Sequence, residues 1–529
     1  MSTDASTFLT ARTRFAGRLR PAGRTAAAER SLTAVAVALA AIVLLSLLIV
    51  VMAADRPSIL VPTSHSNYYP GWMAGPLGGL WPGLTGNGTT LRVIFSIAMV
   101  VMYGAYIVVL RRGAAVPARW VIGAILVVHV IFVISPPLAL TDLFNYVNYG
   151  RMEVVYHLNP YTSIPVLEPH NELSYTLSNW HELLSPYGPL FTIMTFAVVP
   201  FGVAGSFWAL KVVLAATSLA ILALVWHSAK LLGKEPVPAI ALVGLNPIVL
   251  VWGLGGEHND FLMLLFIVLA FYLLLRAREQ ERNRPQGVAM RERFAPLSPA
   301  LLAAGASFIV AAGVKASAAV LIPVVLAGLL RHRRALFQVL AGMVLGAVAV
   351  GGASLIFFGL HIPDLSTQSR LVTSESIPNL IGLAVGAGGE TETLHKLLTV
   401  ALGVAVLACC WIAWRRAPAL AGTPAGTEAT SSPRRAEGAA ARTITASGWA
   451  SVALLVALSW VLPWYVSWVL PLAALSYSRR LRTVALVLGA YLIIAWAPAS
   501  SKLWAAIGFY PEKTSLGRLH QRYVRELLN

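Results

Sequence analysis

Charged residues and cysteines are both scarce in this sequence. Only 12% of the 529 residues are charged and 57% are hydrophobic, whereas about a quarter of the residues in a soluble domain are charged. This composition excludes a soluble globular domain. The two cysteines, Cys409 and Cys410, are adjacent within an apolar run, which excludes a disulfide framework and the spacing of a cysteine metal site. The sequence also has no phosphate-cradling glycine loop, no Gly-x-Ser-x-Gly and no His-Glu-x-x-His.

Acidic residues are fewer than basic ones, 22 against 40, which gives a formal charge of +18. Such a balance is also found in proteins that bind nucleic acid. Here, however, the arginines cluster in short loops between apolar runs, as the positive-inside rule places them beside anionic lipid. We therefore interpret the charge as contact with a lipid bilayer, with no nucleic-acid partner.

Apolar runs of about twenty residues recur along the whole chain, and each is long enough to cross a bilayer as a helix. The sequence therefore predicts an all-α, polytopic integral membrane protein of the cell membrane, with roughly eleven to fourteen transmembrane segments. The first run, 32–53, is too long for a signal-peptide core and lacks a clear cleavage site. We expect it to stay as a span whose amino end is cytoplasmic.

The charge pattern divides the chain into five parts. A basic cytoplasmic tail (1–31) precedes a membrane domain (32–416) with outer loops 54–90, 141–187 and 360–392; a flexible cytoplasmic linker (417–445), the last membrane segments (446–511) and a basic tail (512–529) follow. Two apolar stretches are unusually long: 297–330 is long enough for a hairpin of two short helices, and 446–475, which contains Pro463, is expected to be a broken or a re-entrant pair. Counting 188–203 as a full span would put the arginines of 276–293 outside, so one short segment there is expected to be re-entrant.

The stretch that begins at Asp142 follows the apolar run 121–140, so its carboxylate is expected at the outer membrane boundary. Tyrosines, asparagines and one arginine follow it, and two short interfacial helices are expected, one near 145–156 and one near 173–184. An interfacial belt is the alternative interpretation, because tyrosine prefers this depth. A belt alone, however, requires neither the aspartate nor the neighbouring amides.

Three other stretches place polar groups within apolar sequence, where charge is costly and marks a site. Gly255–Asp260 holds three titratable residues that suit a metal, a phosphate or a sugar, or form only a tight polar turn. Lys315 lies in the middle of an apolar run, where it either reaches an anionic group near a hairpin tip or pairs with a carboxylate on a helix. Leu462–Trp468 surrounds Pro463 with three aromatic rings, which suit sugars, prenyl chains or helix packing.

Four motifs in this order resemble a known family. Asp142 with Tyr146, Tyr149-Gly-Arg151 and Asn159-Pro-Tyr161 is similar to the first-loop region of the GT-C membrane glycosyltransferases. Ser185–Pro189, Gly256–Asp260 and Pro463–Tyr465 resemble the actinobacterial polyprenol-phosphomannose-dependent α-mannosyltransferases. The chain departs from the commoner GT-C pattern in having one acidic residue, not two, at Thr141-Asp142, which weakens the expectation of a metal.

The resemblance implies an inverting glycosyltransferase that moves a sugar, by expectation mannose, from a polyprenyl-phosphate donor to a glycan or glycolipid acceptor on the outer face of the membrane. Asp142 is then the candidate base. Candidates to bind the donor phosphate are Arg151, His258, Lys315 and Arg370. Candidates to bind the remaining substrate are Tyr146, Tyr149, Asn159, Tyr187, Glu257, Asn259, Asp260, Trp464 and Tyr465. No cofactor or metal ligand is expected, although the sequence leaves a divalent metal open.

Two other classes of function fit parts of the same pattern. A transporter or flippase of a lipid-linked or anionic substrate would also use broken helices and a buried lysine. Against it, the sequence shows no inverted repeat and its polar residues gather on one side. A ligase or non-catalytic assembly partner is the third alternative, and for it Asp142 would be dispensable.

Overall fold

The computed structural model describes residues 22–55, 70–81, 88–112, 116–138, 142–283, 297–365, 371–415, 438–500 and 505–506. Within these residues every regular element is helical, which confirms the all-α prediction. In chain order the α-helices are α1 (Ala22–Asp55), α2 (Gly88–Arg112), α3 (Ala118–Val133), α4 (Asp142–Tyr156), α5 (Leu173–Leu177), α6 (Pro189–Phe196), α7 (Gly202–Leu231), α8 (Pro236–Gly244), α9 (Asp260–Arg282), α10 (Pro299–Val314), α11 (Leu321–Leu329), α12 (Arg333–Phe358), α13 (Ile377–Ala384), α14 (Glu392–Trp414), α15 (Ala439–Ala457), α16 (Leu470–Leu475) and α17 (Arg479–Trp496).

Seven helical segments of the described chain are long and apolar enough to cross a membrane: Glu29–Ala54, Gly88–Arg112, Pro189–Leu231, Asp260–Arg282, Arg333–Phe358, Glu392–Trp414 and Ala439–Ala457. Four shorter apolar segments accompany them: Ala118–Val133, Pro299–Val314, Ala316–Leu329 and Pro463–Leu475. The protein is therefore a multi-pass membrane protein. Most of the amino-terminal tail, the linker and the basic carboxyl-terminal tail predicted from the sequence lie outside the described residues.

The third membrane helix is shorter than its apolar run. The sequence predicts a span over 121–140, but α3 ends at Val133 because Pro136 and Pro137 follow, and proline cannot continue a helix. The chain instead runs extended, and the Leu138 amide donates to the Gly255 carbonyl at 2.8 Å. Asp142 therefore begins a separate helix, α4, whose partly positive amino end favours a carboxylate.

Helix α6 lies in the region where the sequence predicts one re-entrant segment, and that re-entrance stays a prediction. This helix has eight residues, about 12 Å at 1.5 Å per residue, which is far less than the thickness of a bilayer. A short 3-10 turn, Val199–Phe201, links it to the long helix α7. The Gly188 amide donates to the Val314 carbonyl at 3.1 Å, so α6 starts beside the end of α10.

Both predicted broken stretches are present. In the first, α10 is followed by a 3-10 turn (Ala316–Val320) and α11, with Lys315 between the two arms. In the second, α15 ends at Ala457, and a 3-10 turn over Pro463–Trp468 leads into α16. Both breaks free backbone groups at one end of the bundle, where a cavity forms.

Close contact between α10 and α12 depends on three glycines. A Cβ added at Gly342 would lie 2.0 Å from the Leu302 carbonyl oxygen, and one at Gly305 would lie 2.0 Å from the Val339 carbonyl oxygen. A Cβ at Gly346 would lie 3.0 Å from the Cα of Ala306. Small residues of this kind let membrane helices approach closely. The Gly-x-x-x-Gly at 342–346 therefore packs helices together.

The region 142–188 folds back over the bundle as a polar cap. Of the two predicted interfacial helices, the first is present as α4, which is buried from Leu143 to Gly150. The second is only the short α5, and the chain after Leu177 is irregular. The loop 360–392 likewise contains a helix, α13, and ends at the buried Glu390, which pairs with His395 at 2.9 Å.

Glu168 is a buried carboxyl group within this cap, with 3% of its surface exposed. Neither of its carboxylate oxygens has a hydrogen-bond partner among the described residues. Burial raises the pKa of Glu168 to about 8; the nearby Arg151 guanidinium opposes this rise and the Glu172 carboxylate adds to it. The folded protein therefore holds a proton on Glu168 over a pH range in which the unfolded chain releases it.

This shift predicts that Glu168 makes the protein less stable as the pH rises. The folded state binds the extra proton between about pH 4.5 and pH 8, so the free energy of unfolding falls across that window. We expect Glu168→Gln to raise the melting temperature at pH 8 and to change it little at pH 5. The measurement is thermal unfolding in detergent from pH 5 to pH 8, with the exposed Glu182→Gln as control. Equal pH profiles for wild type and Glu168→Gln would contradict the prediction.

Candidate active site

One cavity of about 270 Å³ opens where the cap meets the two breaks in the bundle. It is close to the lower end of the usual range for ligand pockets, about 300–1,000 Å³. Eight aromatic side chains contribute to its lining: Tyr146, Tyr149, Trp180, Tyr187, Trp460, Trp464, Tyr465 and Trp468. Its polar lining includes Asp142, Asn259, Asp260 and Lys315. Residues far apart in sequence thus form a single site.

Asp142 lies in the wall of this cavity, with His258 directly behind it. The Asp142 Oδ2 atom is 3.2 Å from His258 Nδ1, and 14% of the Asp142 side chain is exposed. Because a carboxylate only accepts hydrogen bonds, this contact assigns the proton to Nδ1 of the imidazole. The imidazole stacks on the Trp464 ring at 3.4 Å between centroids, with 9° between the planes. His258 is therefore fixed on both sides and orients the carboxylate toward the cavity.

Asp260 and Lys315 form a second charged pair in the same cavity. The Lys315 ammonium donates to both Asp260 oxygens, at 2.9 and 3.0 Å. The Trp468 indole N–H donates to Asp260 Oδ1 at 2.6 Å. The ammonium also lies over the Tyr465 ring at 4.8 Å and the Trp468 ring at 5.4 Å, within cation–π range. The structure thus shows the second sequence alternative for Lys315, a pair with a carboxylate on a helix.

This lysine remains accessible from the cavity. Its side chain is 22% exposed, whereas that of Asp260 is 4% exposed. An ammonium group has three N–H donors, and the carboxylate engages it from one side only. Lys315 can therefore also contact an anionic group of a ligand.

Three tyrosines connect the cap to the wall of the cavity. The Tyr146 ring meets the Tyr187 ring edge to face, at 4.9 Å between centroids, and its hydroxyl accepts from the Asn259 amide at 3.4 Å. The Tyr149 hydroxyl donates to the Leu183 carbonyl at 2.7 Å. These contacts attach α4 both to the turn before α9 and to the return segment of the cap.

The turn that carries His258 and Asp260 is held by a buried ion pair. Glu257 has a positive φ of 54°, a conformation that residues other than glycine rarely adopt. Its carboxylate pairs with the Lys211 ammonium of α7, and both side chains are only 1% exposed. Lys211 also donates to the Ser135 hydroxyl at 3.3 Å. The turn is thus attached to α7 and to the end of the third helix.

Four of the expected substrate- or donor-contacting residues do not line this cavity: Arg151, Asn159, Glu257 and His258. His258 lies behind Asp142 and supports it from there. Arg151 is paired with Glu172 at 2.9 Å. Asn159 donates to the Phe358 carbonyl at 3.1 Å and accepts from the Tyr161 amide, so it connects the cap to α12. Glu257 faces Lys211 instead of the cavity, because a buried carboxylate requires a counter-charge. Arg370 lies outside the described residues.

The sequence interpretation did not include four residues that the structure assigns to the site or its support: Lys211, Trp180, Trp460 and Trp468. Lys211 could have been recognised from the sequence, because it is a lone charged residue within an apolar run, as Lys315 is. Trp468 lies in a stretch that had been singled out. Trp180 and Trp460, whose rings meet edge to face at 6.3 Å, come from distant segments, and only the tertiary fold brings them together.

No group of three or more histidine, cysteine, aspartate or glutamate side chains suited to a metal occurs among the described residues. The two carboxylates of the cavity each have a partner on the protein, His258 for Asp142 and Lys315 for Asp260. The absence of a metal ligand set thus remains a prediction for the chain as a whole.

The buried pair predicts a large loss of stability when one partner is removed. Lys211→Met leaves the Glu257 carboxylate buried without its counter-charge, which costs about 3–5 kcal/mol for pairs of this kind. We expect a clear fall in melting temperature, measured by thermal unfolding in detergent. Lys211→Met combined with Glu257→Met should recover most of it, since an apolar pair replaces the ionic one. A single variant as stable as wild type would contradict the role given to this pair.

Comparisons with known proteins agree with the geometry. The family model described as "Alpha-(1->6)-mannopyranosyltransferase, N-terminal domain" matches residues 58–331, and the model described as "MptB C-terminal domain" matches residues 434–513. The chain is 26% identical over 396 residues to alpha-(1->6)-mannopyranosyltransferase A of Mycobacterium tuberculosis, which covers 70% of this chain and 67% of that protein. It is 28% identical over 160 residues to the enzyme of the same name from Corynebacterium glutamicum, covering 29% and 31%. No solved structure gives a significant match.

The first family model alone covers more than half of the chain, and it includes Asp142, Lys211, His258, Asp260 and Lys315. The second includes Trp460, Trp464 and Trp468. Both parts of the match therefore contribute to the cavity, and this agreement favours a transferase over a transporter. The chain belongs to the alpha-(1->6)-mannopyranosyltransferase family of actinobacterial membrane mannosyltransferases.

Proposed function

We propose that this protein transfers mannose from a polyprenyl-phosphate donor to a hydroxyl group of a glycan or glycolipid on the outer face of the cell membrane. The observation that carries the proposal is that Asp142 and Lys315 share one aromatic-lined cavity. One is a proton acceptor oriented by His258, and the other is a cation accessible to a ligand. A glycosyl transfer from a phosphate needs both.

The charge distribution supports the outer side for this reaction. Asp260, at the start of α9, lines the cavity, whereas Arg278 and Arg282 lie in the last turns of the same helix, about 27 Å or more away. Under the positive-inside rule the arginine end faces the cytoplasm. A site at the opposite end would not meet cytoplasmic nucleotide sugars, so a lipid-borne phosphate donor is the coherent choice.

The proposed reaction is a single displacement at the anomeric carbon. The acceptor oxygen forms a bond to this carbon while the bond from the carbon to the phosphate oxygen breaks, and the configuration inverts. Asp142 takes the proton of the acceptor hydroxyl. The leaving group is the polyprenyl phosphate, and the Lys315 ammonium stabilises the negative charge that collects on it. Because the relatives are alpha-(1->6)-mannopyranosyltransferases, we further propose the 6-hydroxyl of a mannose as the acceptor group.

The aromatic lining supports a sugar as the transferred group. Trp464, Tyr465 and Trp468 come from one turn, and Trp464 and Trp468 are fixed by His258 and Asp260 respectively. Flat aromatic faces fit the C–H faces of a pyranose ring. Apolar residues at the margin, among them Leu365, Leu371 and Leu458, suit the first prenyl units of the donor.

Asp142→Asn is the direct test of the base. The amide keeps the shape and can still bond to His258, but it cannot accept the proton. We expect mannose transfer to fall about a hundredfold or more, the usual scale of general-base catalysis, with donor binding largely retained. The assay uses purified protein with radiolabelled polyprenyl-phosphate mannose, a nucleotide-activated mannose as the alternative donor, and mannoside acceptors.

Glu182→Gln is the matched control, because it makes the same change at an exposed position of the cap outside the cavity. If Asp142 only stabilised the start of α4, asparagine would serve as well, and Asp142→Asn would keep most of its turnover. That result would overturn the assignment of the base. Transfer from the nucleotide sugar alone would overturn the proposed donor, and net movement of the lipid without sugar transfer would favour a flippase.

Lys315→Met tests the role of the cation. Removal of a donor that stabilises transition-state charge costs about a hundredfold to a thousandfold in turnover, and we expect a loss of that size. The single variant also leaves Asp260 without its partner, which would lower stability. Lys315→Met with Asp260→Asn separates the two effects, since it should restore the melting temperature without restoring transfer. Recovery of transfer in the double variant would show that Lys315 only neutralises Asp260.

A further inference from the structure

A second and larger cavity, of about 610 Å³, lies at the other end of the same helices. Helices α9, α10 and α15 each run from one cavity to the other. For α9, Asp260 lines the active-site cavity and Arg278 the second one; for α15, Leu458 just after its end lines the first and Ala439 at its start the second. Ser298 lines the second cavity before α10, and Lys315 lines the active-site cavity after it. We call the second cavity the basic-end cavity.

Its lining is apolar on the floor and basic at the rim. The floor includes Phe271, Leu275 and Val325, which belong to the buried core. The rim carries four arginines and one histidine, with Glu281 as an acidic group: Arg278, His332, Arg333, Arg334 and Arg442. Arg334 and Arg442 also make other contacts, but the charge at the rim remains strongly positive.

Contacts between arginine and tryptophan indicate where this end of the bundle lies relative to the membrane surface. Arg331 lies over the Trp414 ring at 4.6 Å and donates to the Trp414 carbonyl at 3.0 Å. Arg415 lies over Trp411 at 5.1 Å. Tryptophan is enriched at the membrane–water interface. The rim residues His332 and Arg333 directly follow Arg331 in the chain, so the rim is at the level of lipid headgroups.

We propose that the basic-end cavity binds an anionic phospholipid, with its phosphate at Arg278 and Arg333 and an acyl chain on the apolar floor. An arginine rim at headgroup depth above an apolar floor complements the charge and polarity of such a lipid. Basic pockets between membrane helices on the cytoplasmic side bind anionic headgroups in this way. This site is separate from the transferase cavity and does not rest on the proposed function.

The test uses the purified full chain, and compares the melting temperature and retained lipid after addition of phosphatidylglycerol, phosphatidylcholine or polyprenyl phosphate. The variant is Arg278→Gln with Arg333→Gln. The control is Arg282→Gln, since Arg282 is 73% exposed, pairs with Glu279 on the same helix and does not line the cavity. Each basic residue near a membrane surface contributes about fivefold to anionic lipid binding. We therefore expect phosphatidylglycerol binding to weaken by roughly twentyfold in the double variant and to stay unchanged in the control.

Several outcomes would overturn this proposal. Equal stabilisation by phosphatidylglycerol and phosphatidylcholine would show a general lipid effect. Stabilisation by polyprenyl phosphate alone would assign the cavity to the carrier lipid instead of a phospholipid. If the double variant does not fold, the wild-type protein is tested at several salt concentrations instead. Salt screens a contact between arginine and phosphate, so the preference for phosphatidylglycerol over phosphatidylcholine must shrink as ionic strength rises. A preference independent of salt would contradict a phosphate contact at the rim.

Discussion

The ion pair between Lys211 and Glu257 is the interaction on which the proposed active site depends. It lies inside the bundle, where neither charge could remain alone, and it holds Glu257 in a backbone conformation that its side chain disfavours. The next residue is His258, which orients Asp142, and Asp260 follows two residues later with Lys315. A single buried contact thus positions both charged pairs of the cavity. Because the strained turn is bound to α7 and not to a flexible loop, the two pairs keep a fixed relation to each other.

The cavity shows how a membrane protein can place charged groups in its wall by giving each one a partner. Asp142 and Lys315 each have a partner in the protein. In each pair the side chain of this residue is more exposed than that of its partner. His258 lies behind Asp142 and Asp260 pairs with Lys315, while Trp464 stacks on His258 and Trp468 donates to Asp260. In such surroundings electrostatic contacts are stronger than in water. These pairings lower the free-energy cost of placing Asp142 and Lys315 inside a membrane protein. They also hold both side chains in position at the cavity.

Sequence reasoning predicted the helical fold, the two broken stretches and nine of the residues that line the cavity, because each of these features shows in the local sequence pattern. A lone lysine at position 315, the cluster before α9 and the aromatic turn at Pro463 are recognisable as polar or irregular groups in apolar sequence. Sequence reasoning did not predict which charged residues form ion pairs with each other. Glu257 and His258 are neighbours, yet the first pairs with Lys211 of α7 and the second with Asp142, and that choice depends on a positive φ and on a lysine distant in the chain. Likewise, Arg151 and Asn159 have ordinary partners that only the folded cap reveals.

The contact between Asp260 and Trp468 joins the two regions that the family models treat as separate domains. The stacking of His258 on Trp464 does the same. Neither region therefore holds a complete site, and the boundary between them is a boundary in sequence only. A chimera of two related enzymes would therefore need a second half whose tryptophans meet the aspartate and the histidine of the first. A chimera without these contacts would lose the part of the cavity wall that they hold in place.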